Sequence, residues 1–204
     1  THQENDDPLG WFDSIYTDAK GDYRSVFWAD LEPSPYLLAW LKNHTKPQHD
    51  NRAIVVGCGV GDDAEALSAF GYKVTAFDVS PEAIKLCKKR YPNSKVNYHV
   101  ENLFDYPEEW RENFDLVYEC NTIQVLPHKY RLQARDAMIS FLHDNAFILV
   151  SCRSRKEEEQ LDDIPLPLDK NEIDGFVECG LSEKSFLAYD DENSVPHFFA
   201  TYQK

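Results

Sequence analysis

The chain has 204 residues and a formal net charge of −15, from 36 acidic and 21 basic residues. This length suits one α/β domain with a sizeable core and is short for two. Because so acidic a surface repels polyanions, we expect neither nucleic acid nor an anionic membrane surface among the partners.

The chain contains no apolar run long enough to span a bilayer and no signal-peptide pattern. Its five cysteines are scattered without a C-x-x-C pair, and its seven histidines show no ligand spacing. This pattern predicts a cytoplasmic protein with no disulfide framework and no bound metal.

The N-terminal part of the chain precedes the first predicted strand. Residues 1–7 are polar and acidic and are predicted to form a disordered tail. Residues 8–45 are rich in aromatic side chains, and a helix is expected from about Ser34 to Leu41. The aromatic side chains around Tyr16 have helical spacing, which fits either a helix packed on the core or a cap over a site. The predicted core covers residues 52–204.

The most informative stretch runs from Arg52 to Ser80. A short apolar run predicts a buried strand, and the turn G-C-G-V-G follows it. Glycines let the backbone approach a ligand closely, and the start of the next helix favours an anionic group. Asp78, at the tip of the second predicted strand, is placed to accept the hydroxyls of a ribose. This order favours an adenosine-type cofactor site over a plain strand-turn-helix.

The glycine spacing bears on which cofactor is bound. Dinucleotide sites use G-x-G-x-x-G, whereas this chain has G-x-G-x-G followed by Asp62 and Asp63, which would repel a pyrophosphate. The sequence here resembles class I S-adenosylmethionine-dependent methyltransferases, with the three glycines matching the first motif and Asp78 the ribose-binding acid. Further upstream, Trp28 with Asp30 and the Pro-x-Pro at 33–35 resemble the thiopurine, thiol and halide methyltransferases.

Apolar periodicity and turn residues predict the remaining elements. In chain order these are a helix from Pro81 to about Tyr91, strands Lys95–Val100 and Phe114–Tyr118, a helix His128–Leu142, a strand Ala146–Ser151, a short helix Asn171–Cys179, and strands Leu181–Tyr189 and His197–Tyr202. Arg90 is expected to face solvent and Leu132 the core. Asp144 and Asn145 are expected to form a turn.

The resemblance implies a Rossmann-like α/β fold. Its sheet would have seven mostly parallel strands, helices on both faces and a C-terminal antiparallel hairpin. The charged, proline-bearing segment 153–169 is either a substrate-specific insertion or a solvated loop without a role.

The resemblance also implies the residues of the site. For S-adenosylmethionine these are Trp28, Gly57, Cys58, Gly59, Gly61, Asp78, Val79, Asn102, Leu103, Phe104, Glu119 and Cys120. Of these, Asn102 and Leu103 are expected to flank the adenine ring. Candidates for the substrate side are Tyr16, Trp28, Asn121, Thr122 and Arg131, and no residue is assigned a catalytic role.

The predicted function is in-line methyl transfer from S-adenosylmethionine to a small thiol, amine, hydroxyl or halide, with S-adenosylhomocysteine as product. The protein is expected to be a monomer or a weak dimer. One alternative is a protein that binds S-adenosylmethionine without transferring methyl. A less favoured alternative is a nicotinamide-dependent oxidoreductase.

Overall fold

A computed structural model of the chain describes residues 16–18, 22–26, 31–48, 50–159 and 165–204. The predicted tail over residues 1–7 and the role of Trp28 lie outside the described residues. The chain divides into two compact units, Thr1–Tyr106 and Pro107–Lys204. No helix in the described ranges is long and apolar enough to cross a membrane.

The strands form one seven-stranded sheet. They are β1 (Arg52–Val56), β2 (Lys73–Asp78), β3 (Asn97–Val100), β4 (Phe114–Cys120), β5 (Leu142–Arg153), β6 (Ser182–Asp190) and β7 (Pro196–Gln203), in the spatial order β3-β2-β1-β4-β5-β7-β6. The β1–β2, β2–β3 and β4–β5 pairs are parallel, and β7 runs antiparallel to both β5 and β6. The predicted mostly parallel Rossmann-like sheet with a closing hairpin is confirmed.

Local capping sets the helices of the first unit, which are α1 (Pro35–Lys42), α2 (Asp62–Phe70) and α3 (Pro81–Arg90). Ser34 accepts a hydrogen bond from the Leu37 N–H at 3.4 Å, and Ser80 accepts one from the Ala83 N–H at 3.2 Å. Each of these serines is followed by a proline, which suits the first helical position. Helix α2 packs on β1 and β2, whereas α3 packs on β2 and β3.

The second unit contains α4 (His128–Phe141), α5 (Lys170–Ile173) and α6 (Gly175–Glu178). Helix α4 packs on β4 and β5, but its buried face differs from the predicted one. Leu132 is 57% exposed, whereas Arg131 is only 2% exposed. The prediction for Leu132 is wrong because the buried stripe of α4 runs through Ala134, Met138 and Phe141, and Arg131 lies on that face whereas Leu132 does not.

Strand β5 begins earlier than predicted. Asp144 and Asn145 lie within the strand, so the predicted turn at these residues is wrong. Asn145 adopts a φ of 68°, and the pairing with β4 shifts register between Phe114 and Leu116. Asparagine tolerates this left-handed conformation, which lets the strand continue through an irregularity instead of ending.

The segment after β5 is held by Glu172, a residue of α5. One carboxylate oxygen of Glu172 accepts from the Arg131 guanidinium at 2.5 Å and lies 2.9 Å from the His128 imidazole. The other accepts from the Arg155 guanidinium at 2.9 Å and from the Asp169 N–H at 3.0 Å. The two ends of 153–169 are therefore bound to the unit, whereas residues 156–159 between them are exposed.

This network predicts that Glu172→Ala lowers the free energy of unfolding by about 3–5 kcal/mol, because it leaves the buried Arg131 guanidinium without its ion-pair partner. Glu178→Ala, which removes an exposed acid on the neighbouring helix, should stay within about 0.5 kcal/mol of the wild-type protein. Urea unfolding followed by circular dichroism measures both. A loss below about 1 kcal/mol for Glu172→Ala would show that the network contributes little.

Candidate functional site

The glycine turn after β1 has a backbone that requires glycine. Gly57, Gly59 and Gly61 adopt φ values of 60°, 53° and 95°, in the left-handed region that side chains disfavour. A Cβ on Gly61 would also lie 2.6 Å from the Tyr98 hydroxyl oxygen. The Cys58 N–H donates to the Phe77 carbonyl at 2.9 Å, so the turn is attached to β2.

Asp78 ends β2 and is only 6% exposed. One of its carboxylate oxygens accepts from the Gly59 N–H and the other from the Ser80 N–H, both at 3.0 Å. The carboxylate therefore joins the glycine turn to the start of α3.

The two acids at the start of α2 have partners within the unit. Asp62 pairs with the Arg90 guanidinium at 2.5 Å and accepts from the Tyr91 hydroxyl at 3.0 Å. Asp63 accepts from the Ser34 N–H at 2.7 Å. Arg90 was predicted to face solvent, and that prediction is wrong. Its charge compensates Asp62, so the repulsion of a pyrophosphate is weaker than two free carboxylates would exert.

Tyr16 lies against the glycine turn. Its side chain is 4% exposed, and its hydroxyl oxygen is 3.4 Å from the position that a Cβ on Gly59 would occupy. The sequence placed Tyr16 among the substrate-side candidates, whereas the structure places it beside the predicted cofactor residues. Its buried neighbours in one apolar cluster are Val26, Val60, Ala83 and Leu86.

The Cys58 thiol, within the glycine turn, is not a reactive group. Its hydrogen bond with the Cys87 thiol and its burial raise the pKa of Cys58 well above the usual value. Cys87 itself donates to the Gly59 carbonyl at 3.1 Å. A neutral thiol suits a small lining side chain and does not suit a nucleophile.

The turn after β3 was predicted to flank an adenine ring. The Asn102 side-chain oxygen accepts from the Phe104 N–H at 2.8 Å, so this amide closes the turn. Leu103 is buried, whereas Phe104 and Val79 are half-buried. Phe104 is thus more accessible than Leu103 for packing against a ring, and the adenine role of all three turn residues stays a prediction.

In the second unit, Glu119 is fully buried near the end of β4. One carboxylate oxygen accepts from the Thr122 and Ile123 N–H groups at 3.0 and 3.3 Å. The other oxygen is buried and has no hydrogen-bond partner. Burial raises the pKa of Glu119 to about 8, against the lowering effect of the two backbone hydrogen bonds and of Arg131. Near neutral pH Glu119 therefore carries its proton and holds the turn that follows the strand.

This turn presents Asn121 and Thr122. Asn121 is exposed and has a φ of 62°, a left-handed conformation that asparagine tolerates, and its N–H donates to the Ser151 carbonyl at 2.8 Å. Cys120 beside it is half-buried. An exposed polar side chain after the carboxyl end of a parallel strand lies where α/β sheets bind their ligands.

Arg131, another substrate-side candidate, points into its own unit. Besides Glu172, its guanidinium donates to the carbonyls of Leu126 at 3.3 Å and Leu166 at 2.6 Å. Burial lowers the pKa of Arg131, although the Glu172 carboxylate opposes that shift. Any effect of Arg131 on a substrate would therefore act through the segments that it holds.

Sequence reasoning missed two residues that join segments far apart in the chain, Arg90 and Glu172. Arg90 belongs to no motif, whereas Glu172 forms a capping box with Asp169 at the start of α5, a D-x-x-E pattern that the sequence shows. In the described ranges, no group of three His, Cys, Asp or Glu side chains is arranged to hold a metal ion.

The comparisons with known proteins agree with this geometry. Residues 53–145 match the family model described as a methyltransferase domain. A ubiquinone biosynthesis O-methyltransferase of Xanthomonas axonopodis pv. citri is 27% identical over 128 residues, which cover 62% of this chain and 52% of that protein. The chain thus spans about half the length of this curated relative.

Solved structures share the fold. The N-methyltransferase NodS of Bradyrhizobium japonicum, in complex with S-adenosylhomocysteine, has a TM-score of 0.71 and 16% identity, covering 93% of this chain and 98% of its own. A 1,6-didemethyltoxoflavin-N1-methyltransferase of Burkholderia thailandensis has a TM-score of 0.73 and 15% identity, covering 95% of this chain and 87% of its own. The [4+2]-cyclase SpnF has a TM-score of 0.70 and 11% identity, covering 83% of this chain and 80% of its own.

These findings give the chain the fold of S-adenosylmethionine-dependent methyltransferases, and residues 53–145 are similar to a methyltransferase domain. The narrower resemblance to the thiopurine, thiol and halide enzymes stays a prediction.

The raised pKa of Glu119 predicts a pH-dependent stability. The protonated Glu119 contributes fully to the free energy of unfolding below its unfolded pKa of about 4.5. This contribution is lost as pH rises through about 8, because the fold disfavours ionisation of the carboxyl group. Glu119→Gln keeps an oxygen for the two N–H donors but does not titrate. Between pH 5 and 8 the free energy of unfolding of the wild-type protein should fall by a few kcal/mol relative to that of this variant. The scale is on the order of 1.36 kcal/mol for each unit by which the fold raises the pKa of Glu119.

Urea unfolding of both proteins at pH 5, 6.5 and 8 measures the difference, in which the other titrating groups cancel. Parallel stability curves for the two proteins would contradict a protonated Glu119.

Proposed function

We propose that this chain is a methyltransferase that uses S-adenosylmethionine and acts on a small molecule. The observation that carries the proposal is the Asp78 carboxylate, held at the tip of β2 by the Gly59 and Ser80 N–H groups. It lies within the residues that match the methyltransferase domain. S-adenosylmethionine, when bound, supplies a methyl group activated by its sulfonium for in-line displacement by the acceptor.

The residues of the chain bind and orient in this proposal. The left-handed glycines bring the backbone close to the cofactor, and Asp78 accepts the ribose hydroxyls. Asn102 and Phe104 flank the adenine. Orientation of donor and acceptor can supply about 7–11 kcal/mol of barrier lowering. Because the Glu119 carboxyl group is fully buried and holds the turn after β4, we do not assign it as a general base.

The name of the curated relative favours a hydroxyl as the first acceptor to test. The Trp-x-Asp and Pro-x-Pro pattern of the N-terminal segment favours thiols and halides as further acceptors to test, and amines are the fourth class. We also propose that the protein is a cytoplasmic monomer or weak dimer that does not bind nucleic acid. The net charge of −15 supports the last point.

A second candidate is a protein that binds the cofactor without transferring methyl. The structural likeness to a [4+2]-cyclase favours keeping it, because it shows that this fold is not confined to enzymes named methyltransferases.

Two measurements test the proposal. Calorimetric titration with S-adenosylmethionine, S-adenosylhomocysteine and NAD should show binding of the first two only. A screen of small phenols, thiols, amines and halides with methyl-labelled cofactor should then transfer label to one class. Binding without transfer to any class would favour the second candidate, and binding of NAD alone would indicate an oxidoreductase.

Asp78→Asn should weaken binding of S-adenosylhomocysteine by about 1.5–3 kcal/mol, the scale of hydrogen bonds to a charged group. The change keeps the shape of the side chain but removes its charge and one acceptor oxygen. Asp190→Asn, a change of an exposed acid at the end of β6, is the matched control and should leave affinity unchanged. Wild-type affinity in a folded Asp78→Asn protein would place the ribose elsewhere.

A further inference from the structure

Arg90, the last residue of α3, connects three parts of the first unit. Besides its ion pair with Asp62, its guanidinium donates to the Leu31 carbonyl at 2.9 Å and to the Val60 carbonyl at 3.4 Å. Val60 belongs to the glycine turn, and Leu31 belongs to the segment that precedes α1. One side chain thus joins the N-terminal segment, the glycine turn and the start of α2.

Two aromatic rings flank the same guanidinium. Its central carbon lies 5.0 Å from the ring centroid of Tyr23 and 5.0 Å from that of Tyr91. The Tyr91 hydroxyl in turn donates to Asp62 at 3.0 Å. A planar group with several fixed donors that stacks on rings is specific to arginine, and lysine does not reproduce it.

The attached segment has a second, independent anchor. The Ser34 N–H donates to Asp63 at 2.7 Å, so the second acid at the start of α2 directly holds a residue that precedes α1. Leu31 has a φ of 60°, a left-handed conformation that is costly for leucine and needs such contacts to persist. Tyr23 and Leu31 pack against the apolar cluster in which Tyr16 is buried.

We propose that Arg90 is a positioning residue for the cofactor: it holds Tyr23 and Leu31, and through their cluster Tyr16, against the glycine turn. The inference rests on the proposed function, because it takes the glycine turn as the cofactor site. Tyr16 lies beside this turn, since its hydroxyl oxygen is 3.4 Å from the position that a Cβ on Gly59 would occupy. Loosening the segment should therefore lower cofactor affinity without any loss of a direct Arg90 contact.

The first experiment follows amide hydrogen exchange in the cofactor-free protein. Arg90→Gln should speed exchange at the Ser25 and Val26 amides, which donate within the segment at 3.0 and 3.3 Å. Lys88→Gln, an exposed change on the same helix, is the control and should leave both rates unchanged. Arg90→Lys should show exchange rates close to those of Arg90→Gln, because a lysine ammonium can pair with Asp62 but cannot make the remaining contacts of the guanidinium.

The second experiment is a double-mutant cycle on S-adenosylhomocysteine affinity. Arg90→Gln and Tyr16→Phe should each weaken binding about tenfold, and the double variant should be clearly less than a hundredfold weaker, since contacting or coupled residues do not act additively. A purely structural role would change the unfolding free energy but would give independent effects on affinity. If Arg90→Gln does not fold, Tyr23→Leu takes its place, because it removes one flanking ring without leaving a charge unpaired.

Each outcome bears on the proposal. Faster exchange together with coupled losses of affinity supports it. Unchanged exchange in folded Arg90→Gln, or faster exchange with wild-type affinity, would overturn it. If the wild-type protein bound no S-adenosylhomocysteine, the proposed function would fail and the cofactor role of Arg90 with it. The exchange rates would still decide whether Arg90 holds the segment.

Discussion

The first unit depends on one buried carboxylate. Asp78 must have hydrogen-bond donors because burial removes its hydration, and the Gly59 and Ser80 N–H groups supply them. Those two contacts fix the glycine turn and the start of α3 relative to the tip of β2. The left-handed glycines are then required, because only they let the turn approach the carboxylate with its N–H inward.

The second unit uses a similar device at the end of β4. Glu119 accepts the N–H groups of the turn that follows its strand, as Asp78 does in the first unit. The two acids differ in their surroundings. Asp78 borders the glycine turn, whereas the free oxygen of Glu119 is enclosed and its burial favours the protonated form. One acid suits binding of a ligand, and the other suits support of Asn121 and Thr122.

Arginine side chains attach the irregular segments in both units. Arg90 holds the chain before α1, and Arg131 and Arg155 hold the chain after β5 through Glu172. A guanidinium can do this because it donates to a carboxylate and to backbone carbonyls at the same time. In a chain with an excess of acids, these three arginines stabilise internal connections and leave the surface strongly negative.

The sequence by itself determined the elements that depend on neighbouring residues. The serine-proline starts of α1 and α3 follow from capping over a few positions, and the closing hairpin follows from alternation and turn residues. The glycine turn and Asp78 were predicted because strand, turn and helix lie within 30 residues. Only the tertiary structure decided the inward orientation of Arg90 and Arg131. Their partners Asp62 and Glu172 are 28 and 41 residues away, and periodicity assigns a charged residue to solvent unless its partner is known.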